Sequence, residues 1–124
     1  MRQFFISSCF MFLSGCLNPA TAIGDYALIS DDPALQRVTL RVEDARISGQ
    51  GPCNSYFATP NGPVLENGHF EFGPIASTKM ACFNLASEHE YFSKLQRVVR
   101  VVRARHTLTL ITSDQDILEF KVAN

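Results

Sequence analysis

Cys9, Cys16, Cys53 and Cys82 are the most reactive side chains in this 124-residue sequence. For the later pair, Cys53 and Cys82, two chemistries are open: oxidation to a disulfide, or ligation of a metal. Their spacing matches no paired-cysteine knuckle, and His69, His89 and His106 are scattered along the chain, which makes the metal the weaker reading. No metal and no cofactor is expected. A disulfide would close a loop of about 30 residues and, in the chain-entropy view, stabilise by about 3–4 kcal/mol. Hydrolytic chemistry has less to build on, because a nucleophile needs a base within reach and a group that orients the base. Ser55, Ser77 and Ser87 fall in turn, strand or cap contexts, without a Gly-x-Ser-x-Gly elbow. His89 and Glu90 are neighbours on a predicted helix and point in different directions. Asp114 and Asp116 lie in a turn, where aspartate serves the backbone. The pattern predicts a protein that is not an enzyme.

The first residues decide the compartment. Arg2 supplies one positive charge, residues 4–13 are apolar and uncharged, and Ser14-Gly15 are small. That order is the layout of a secretory signal peptide, and the run falls short of the about 20 apolar residues a membrane span needs. Leu13-Ser14-Gly15-Cys16 looks like the lipobox of bacterial lipoproteins, whose cysteine is acylated and becomes the mature N-terminus. Residues 1–15 are therefore expected to be a signal peptide of lipoprotein type, 16–23 a tether after lipidated Cys16, and 24–123 a single domain. Cys9 leaves with the signal, and Cys53 and Cys82 face an oxidising space, where a disulfide is favoured over free thiols. Leu17 is not the Asp that resembles an inner-membrane retention signal. The expected location is the cell envelope: the outer membrane facing the periplasm in a host with two membranes, the outer face of a single membrane otherwise.

Charge adds an exclusion. All twelve acidic and ten of the eleven basic residues lie after residue 15, a formal charge of −2. Nucleic-acid binders usually concentrate basic charge on one face, and no nucleic-acid partner is expected. The one basic cluster is Arg97, Arg100, Arg103 and Arg105. Such a run is ordinarily a solvated face; as a binding surface it would suit an anionic headgroup or an acidic protein.

The elements that position these groups are mostly strands. Residues 26–29 open the domain, and Val38, Leu40 and Val42 alternate with polar neighbours, as in a half-buried strand. Further strands are predicted over 45–49, 53–57, 64–65 and 69–72. Pro60-Asn61-Gly62-Pro63 and Glu66-Asn67-Gly68 are read as turns between them. Ser87-Glu88-His89-Glu90 fits a capping box. Phe92, Leu95 and Val99 follow at helical spacing, so one helix is expected over about 86–97. Residues 98–103, 107–112 and 117–122 complete an antiparallel meander. The expected fold is mainly β (α+β): a strongly curved antiparallel sheet, cracked-barrel-like, with one flanking helix.

Gly51-Pro52-Cys53-Asn54-Ser55-Tyr56 and Gly73-Pro74-Ile75-Ala76-Ser77-Thr78-Lys79-Met80-Ala81-Cys82 then stand out as a pair. With the hairpin between them and the helix and strands after them, they make the chain resemble the META domain family, which includes HslJ-like heat-shock lipoproteins. The resemblance covers roughly residues 24–123. It implies a cracked, barrel-like sheet flanked by a helix, an envelope lipoprotein linked to stress and antibiotic resistance, and no established catalysis. Asn54, Tyr56, Thr78 and Met80 are the matching signature residues. Two positions depart from the pattern: Tyr26 stands where the family commonly has Trp, and Pro52, which lacks an N–H, where it often has Gly. From the residues themselves, Asn54 is expected to satisfy buried backbone beside the bridge rather than offer its amide to a ligand, Thr78 to bond locally, and Met80 to pack in the core, with the lining of a groove as its alternative. Tyr56, Phe57, Phe70 and Phe72 are core candidates that could equally line a cavity, since barrels of this size are filled or hold one small ligand.

Three functions compete: a lipid-anchored stress or binding protein of the envelope, a carrier of a lipid or other apolar ligand, and an inhibitor or assembly partner of another envelope protein. The partners expected are the membrane through the anchor, an apolar ligand or an envelope protein. The chain is expected to be a monomer.

Overall fold

The computed structural model describes residues 20–123. The expected signal peptide, Cys16 and half of the tether, residues 16–19, lie outside them. Within them nine strands form a single antiparallel sheet in the order β5-β7-β8-β9-β1-β2-β3-β4-β6. The strands are β1 Gly24–Leu28, β2 Thr39–Val42, β3 Ile47–Gln50, β4 Ser55–Ala58, β5 Asn67–His69, β6 Ile75–Ser77, β7 Val98–Arg103, β8 Thr107–Thr112 and β9 Ile117–Val122. A short 3-10 turn, Pro33–Leu35, joins β1 to β2, and one helix, α1 Leu85–Arg97, precedes β7.

Two meanders build the sheet, β1–β4 and β7–β9, and the pairing of β1 with β9 (Tyr26 opposite Val122, Leu28 opposite Phe120) joins them. The alternating apolar residues dictate this curl. Leu40 and Val42 on β2, Leu108 and Leu110 on β8, and Leu118 and Phe120 on β9 all point to one buried side. Rolled inward, they meet Tyr26, Tyr56 and Phe72, each 1–2% exposed, so side chains occupy the interior. β5 and β6 are the two ends of the sheet. Residues 70–74 connect them and contribute Phe70 and Phe72, stacked edge to face at 5.0 Å.

The helix lies at the rim where β7 begins. Its buried stripe is Glu88, Tyr91 and Leu95, an i, i+3, i+7 set on one face. Phe92 is only partly buried and Val99 is already in β7, so the inward face is rotated from the Phe92–Leu95–Val99 face expected from spacing. The capping box does not form. Asn84 is the N-cap, and Ser87 and Glu90 are inside the helix; the Asn84 side chain instead donates to the Pro52 carbonyl at 2.8 Å. Val98 is extended and ends the helix, where a run of β-branched valines favours the strand.

Several strand expectations need correction, among them that over 69–72, of which only His69 lies in a strand. Glu66-Asn67-Gly68 is not a hairpin turn: Asn67–His69 pairs with β7, and Gly68 takes a φ of +138° that a side chain would strain. Cys53 and Asn54 lie in the turn before β4 rather than within it. Ile75–Ser77, read from sequence only as part of a signature, forms the edge strand beside β4.

Candidate functional site

The two signatures meet at the rim covered by α1. Cys53 and Cys82 are joined by a disulfide, with their Cα atoms 6.0 Å apart. Beside it, Gly51 N–H donates to the Asn54 carbonyl at 2.8 Å and closes a tight turn. That turn aims two backbone N–H groups at the helix. The Glu88 carboxylate receives both on Oε1, from Cys53 at 3.1 Å and Asn54 at 2.6 Å. Its Oε2 accepts the Asn54 side-chain amide at 2.7 Å.

The other end of Asn54 holds the second signature. Its Oδ1 accepts the Thr78 hydroxyl at 2.9 Å and the Met80 N–H at 2.7 Å, and its Nδ2 also approaches the Met80 carbonyl at 3.3 Å. Asn54 is 3% exposed and Glu88 2%. A buried carboxylate is tolerated only when its oxygens are bonded, and the first turn of a helix adds a favourable dipole. Gly51 is required for approach: a Cβ there would sit 2.9 Å from Glu88 Oε1 and 3.1 Å from the Asn54 carbonyl.

Tyr56 extends this network inward. Its hydroxyl donates to the Thr39 carbonyl at 2.7 Å and shares a 2.8 Å bond with the Tyr91 hydroxyl. Its ring crosses Gly49, where a Cβ would come within 2.2 Å of the Thr39 carbonyl and 2.7 Å of the Tyr56 hydroxyl. Burial pushes both phenols up from the usual tyrosine range.

Asn54 thus bonds as its sequence setting suggests, whereas Thr78 does not bond locally: its hydroxyl reaches Asn54, 24 residues earlier. Met80 does not pack in the core: its backbone joins the Asn54 network while its side chain is 57% exposed. Phe57 is likewise outside, under Arg46, whose guanidinium carbon lies 5.2 Å from the ring centre. Glu88 is the residue that sequence reasoning missed. The available signal was its i, i+3, i+7 spacing with Tyr91 and Leu95; the capping-box reading gave roles to Ser87 and Glu90 and none to Glu88.

The four arginines do not share one free face. Arg97 bonds Asp114 and lies 3.9 Å from Asp116; the Thr112 hydroxyl, and then Arg97, hold the Asp114 carboxyl below its ordinary value. Arg103 donates to the Tyr26 hydroxyl at 3.2 Å, lies over that ring and bonds the Ala104 carbonyl. Arg100 faces outward opposite His69 on β5, and Arg105 is exposed in the β7–β8 turn.

Of the open grooves on the described surface, two adjoin the residues above. The larger, about 520 Å³, runs over β1–β4 between Arg41, Arg46, Ser48 and Phe57, with Arg41 paired to Asp25 and Glu43 at 3.3 and 3.4 Å. The second, about 260 Å³, lies between β6 with the segment after it and α1, and has Asn54 and Glu88 in its wall. Among the described residues no group of histidine, cysteine and acidic side chains gathers to hold a metal, and no helix is long and apolar enough to cross a membrane.

Among solved structures, an NMR structure of a protein from Burkholderia xenovorans is similar, with a TM-score of 0.64 at 23% identity over 82% of each chain. A second NMR structure has a TM-score of 0.58 at 22% identity, over 82% of this chain and 91% of the other. At such identities the likeness is one of fold. No curated protein matches the chain. Residues 27–124, which hold both signatures and every strand from β2 onward, match the META domain, and the chain belongs to that family.

Proposed function

We propose that this protein is an exported, lipid-anchored binding module of the bacterial cell envelope, without catalytic activity, serving the envelope under stress. The observation that carries the reading is the use of the signature residues. The side chains of Asn54 and Glu88 bond to one another, to Thr78 and to the backbone of Cys53, Asn54 and Met80. A signature whose polar atoms are occupied internally builds a shape and leaves chemistry to nothing. The disulfide beside it suits a compartment that oxidises thiols, in keeping with the charge, apolar run and Leu13-Ser14-Gly15-Cys16 order at the N-terminus. Tyr26, Tyr56, Phe72 and Phe120 occupy the interior, so recognition falls to the outer surface rather than to an enclosed ligand. In a host with two membranes the location is the outer membrane, facing the periplasm.

The test is the intact mass of protein extracted from membranes, with and without reductant. The expected species begins at Cys16, carries acyl chains there, and exposes two alkylatable thiols only after reduction. A strain lacking the gene should be more sensitive to lipophilic antibiotics. Unprocessed chain with free thiols, or an unchanged sensitivity, refutes the proposal.

A further inference from the structure

The second groove has what an extended polypeptide segment needs. β6 ends the sheet, and among the described residues no strand pairs with its far side. Thr78 N–H donates to the Ser55 carbonyl at 3.0 Å. In an antiparallel ladder adjacent residues alternate in direction, so Ser77, one residue earlier, turns its N–H and C=O away from β4. Ser77, Lys79 and Met80 form one wall of the groove, and Leu85, His89 and Phe92 on α1 form the other. Next to it stand two of the most exposed apolar side chains of the described protein, Met80 at 57% and the fully exposed Phe83. Apolar side chains gathered on a surface mark interaction sites. Lys79 has no carboxylate partner among the described residues, and the one acid in the groove wall, Glu88, already accepts three bonds from Cys53 and Asn54.

The bilayer is the wrong occupant. Ala20 accepts from Glu66 N–H, and Glu66 accepts from Arg103 N–H, so the chain enters the domain at the rim where β7 ends. The groove lies at the rim where β7 begins, five residues away along that strand, or about 17 Å. Four residues from Cys16 to Ala20 reach at most about 14 Å. An anchor at Cys16 turns the entry rim to the membrane and the groove away from it.

We propose that the cleft between β6 and α1 docks an extended segment of another envelope protein. The segment adds as a strand to the β6 edge, seats an apolar side chain against Met80 and Phe92, and sets a carboxylate beside Lys79. The proposal deepens the binding-module reading and rests on it for the orientation at the membrane.

The test uses the full chain, isotope-labelled in detergent micelles, titrated with two synthetic octapeptides. One alternates Asp with Val and the other alternates Lys with Val. The acidic peptide should give saturable amide shifts confined to residues 75–92 and bind about tenfold more tightly than the basic one. Ser77→Pro removes the outward N–H while leaving the β4 ladder intact, and should weaken binding by about tenfold. Lys79→Glu, at an exposed site, should reverse the order of the peptides by about three- to tenfold and keeps the proposal testable should the proline variant not fold. No saturable shift, shifts elsewhere, equal affinity for both peptides, or indifference to Lys79→Glu overturns it. Acyl chains found at Cys16 with no peptide bound would sink the groove and leave the anchor, while peptide binding by a chain without acyl groups would do the reverse.

Discussion

Replacing Glu88 by Gln changes almost nothing in shape and nearly everything in bonding. Gln has one acceptor oxygen where Glu88 uses two. With that oxygen kept on the Cys53 and Asn54 N–H groups, the new amide faces the Asn54 amide across 2.7 Å, donor against donor. Asn54 cannot turn over to help, because its Oδ1 is held by Thr78 and Met80 at 2.9 and 2.7 Å. One buried donor therefore loses its acceptor, at about 1–3 kcal/mol. Two charge-assisted bonds become neutral ones, which costs about 1 kcal/mol each. Release of a buried charge works the other way, leaving a net loss of about 2–4 kcal/mol. For a domain of this size each kcal/mol lowers Tm by about 4–8 °C. Urea unfolding with the disulfide intact should show a lower midpoint at an unchanged slope, and a double-mutant cycle with Asn54→Ala should give a coupling above about 1 kcal/mol. A Gln variant within about 0.5 kcal/mol of the parent would refute the claim that this carboxylate organises the rim.

Gly49→Ala would place a methyl 2.2 Å from the Thr39 carbonyl, so unfolding should show a loss of at least about 2 kcal/mol, with Tyr56→Leu in the same chain recovering little of it. Replacing Cys53 and Cys82 by Ser opens the loop between residues 29 apart and should cost about 3–4 kcal/mol, read as a denaturation midpoint equal to that of the reduced parent. Tyr56 and Tyr91 ionise less readily when folded. The stability they confer is therefore complete below the ordinary tyrosine value of about 10 and lost as pH rises above it toward the folded values. Denaturation at about pH 9 and pH 11 should show that fall, and it should flatten in Tyr56→Phe/Tyr91→Phe; an equal fall in both proteins rules the phenols out as its source.

The parts that could be read in the sequence are those where one chemical pattern had one solution. Alternation at Leu108, Leu110, Leu118 and Phe120 specifies a hairpin with one buried face, and the helix expected over 86–97 is found at Leu85–Arg97. The unread parts depend on neighbours that are distant in sequence. Ile75–Ser77 has three residues and too little pattern to announce a strand; β4 makes it one. Asn67-Gly68 carries a turn composition, yet β7 draws it into the sheet. Glu88 looks like surface on a helix until the Gly51–Asn54 turn, more than thirty residues earlier, brings two N–H groups to it. Arg97 looked free until the β8–β9 turn supplied Asp114 and Asp116.

The seam between β1 and β9 has a consequence for the order in which the molecule can form. The first strand finds one of its two partners only in the ninth, so the sheet cannot close until β9 has been made. High contact order of this kind slows folding. On the export route proposed above, that slowness would keep the polypeptide loose during passage and let the sheet close once β9 has followed.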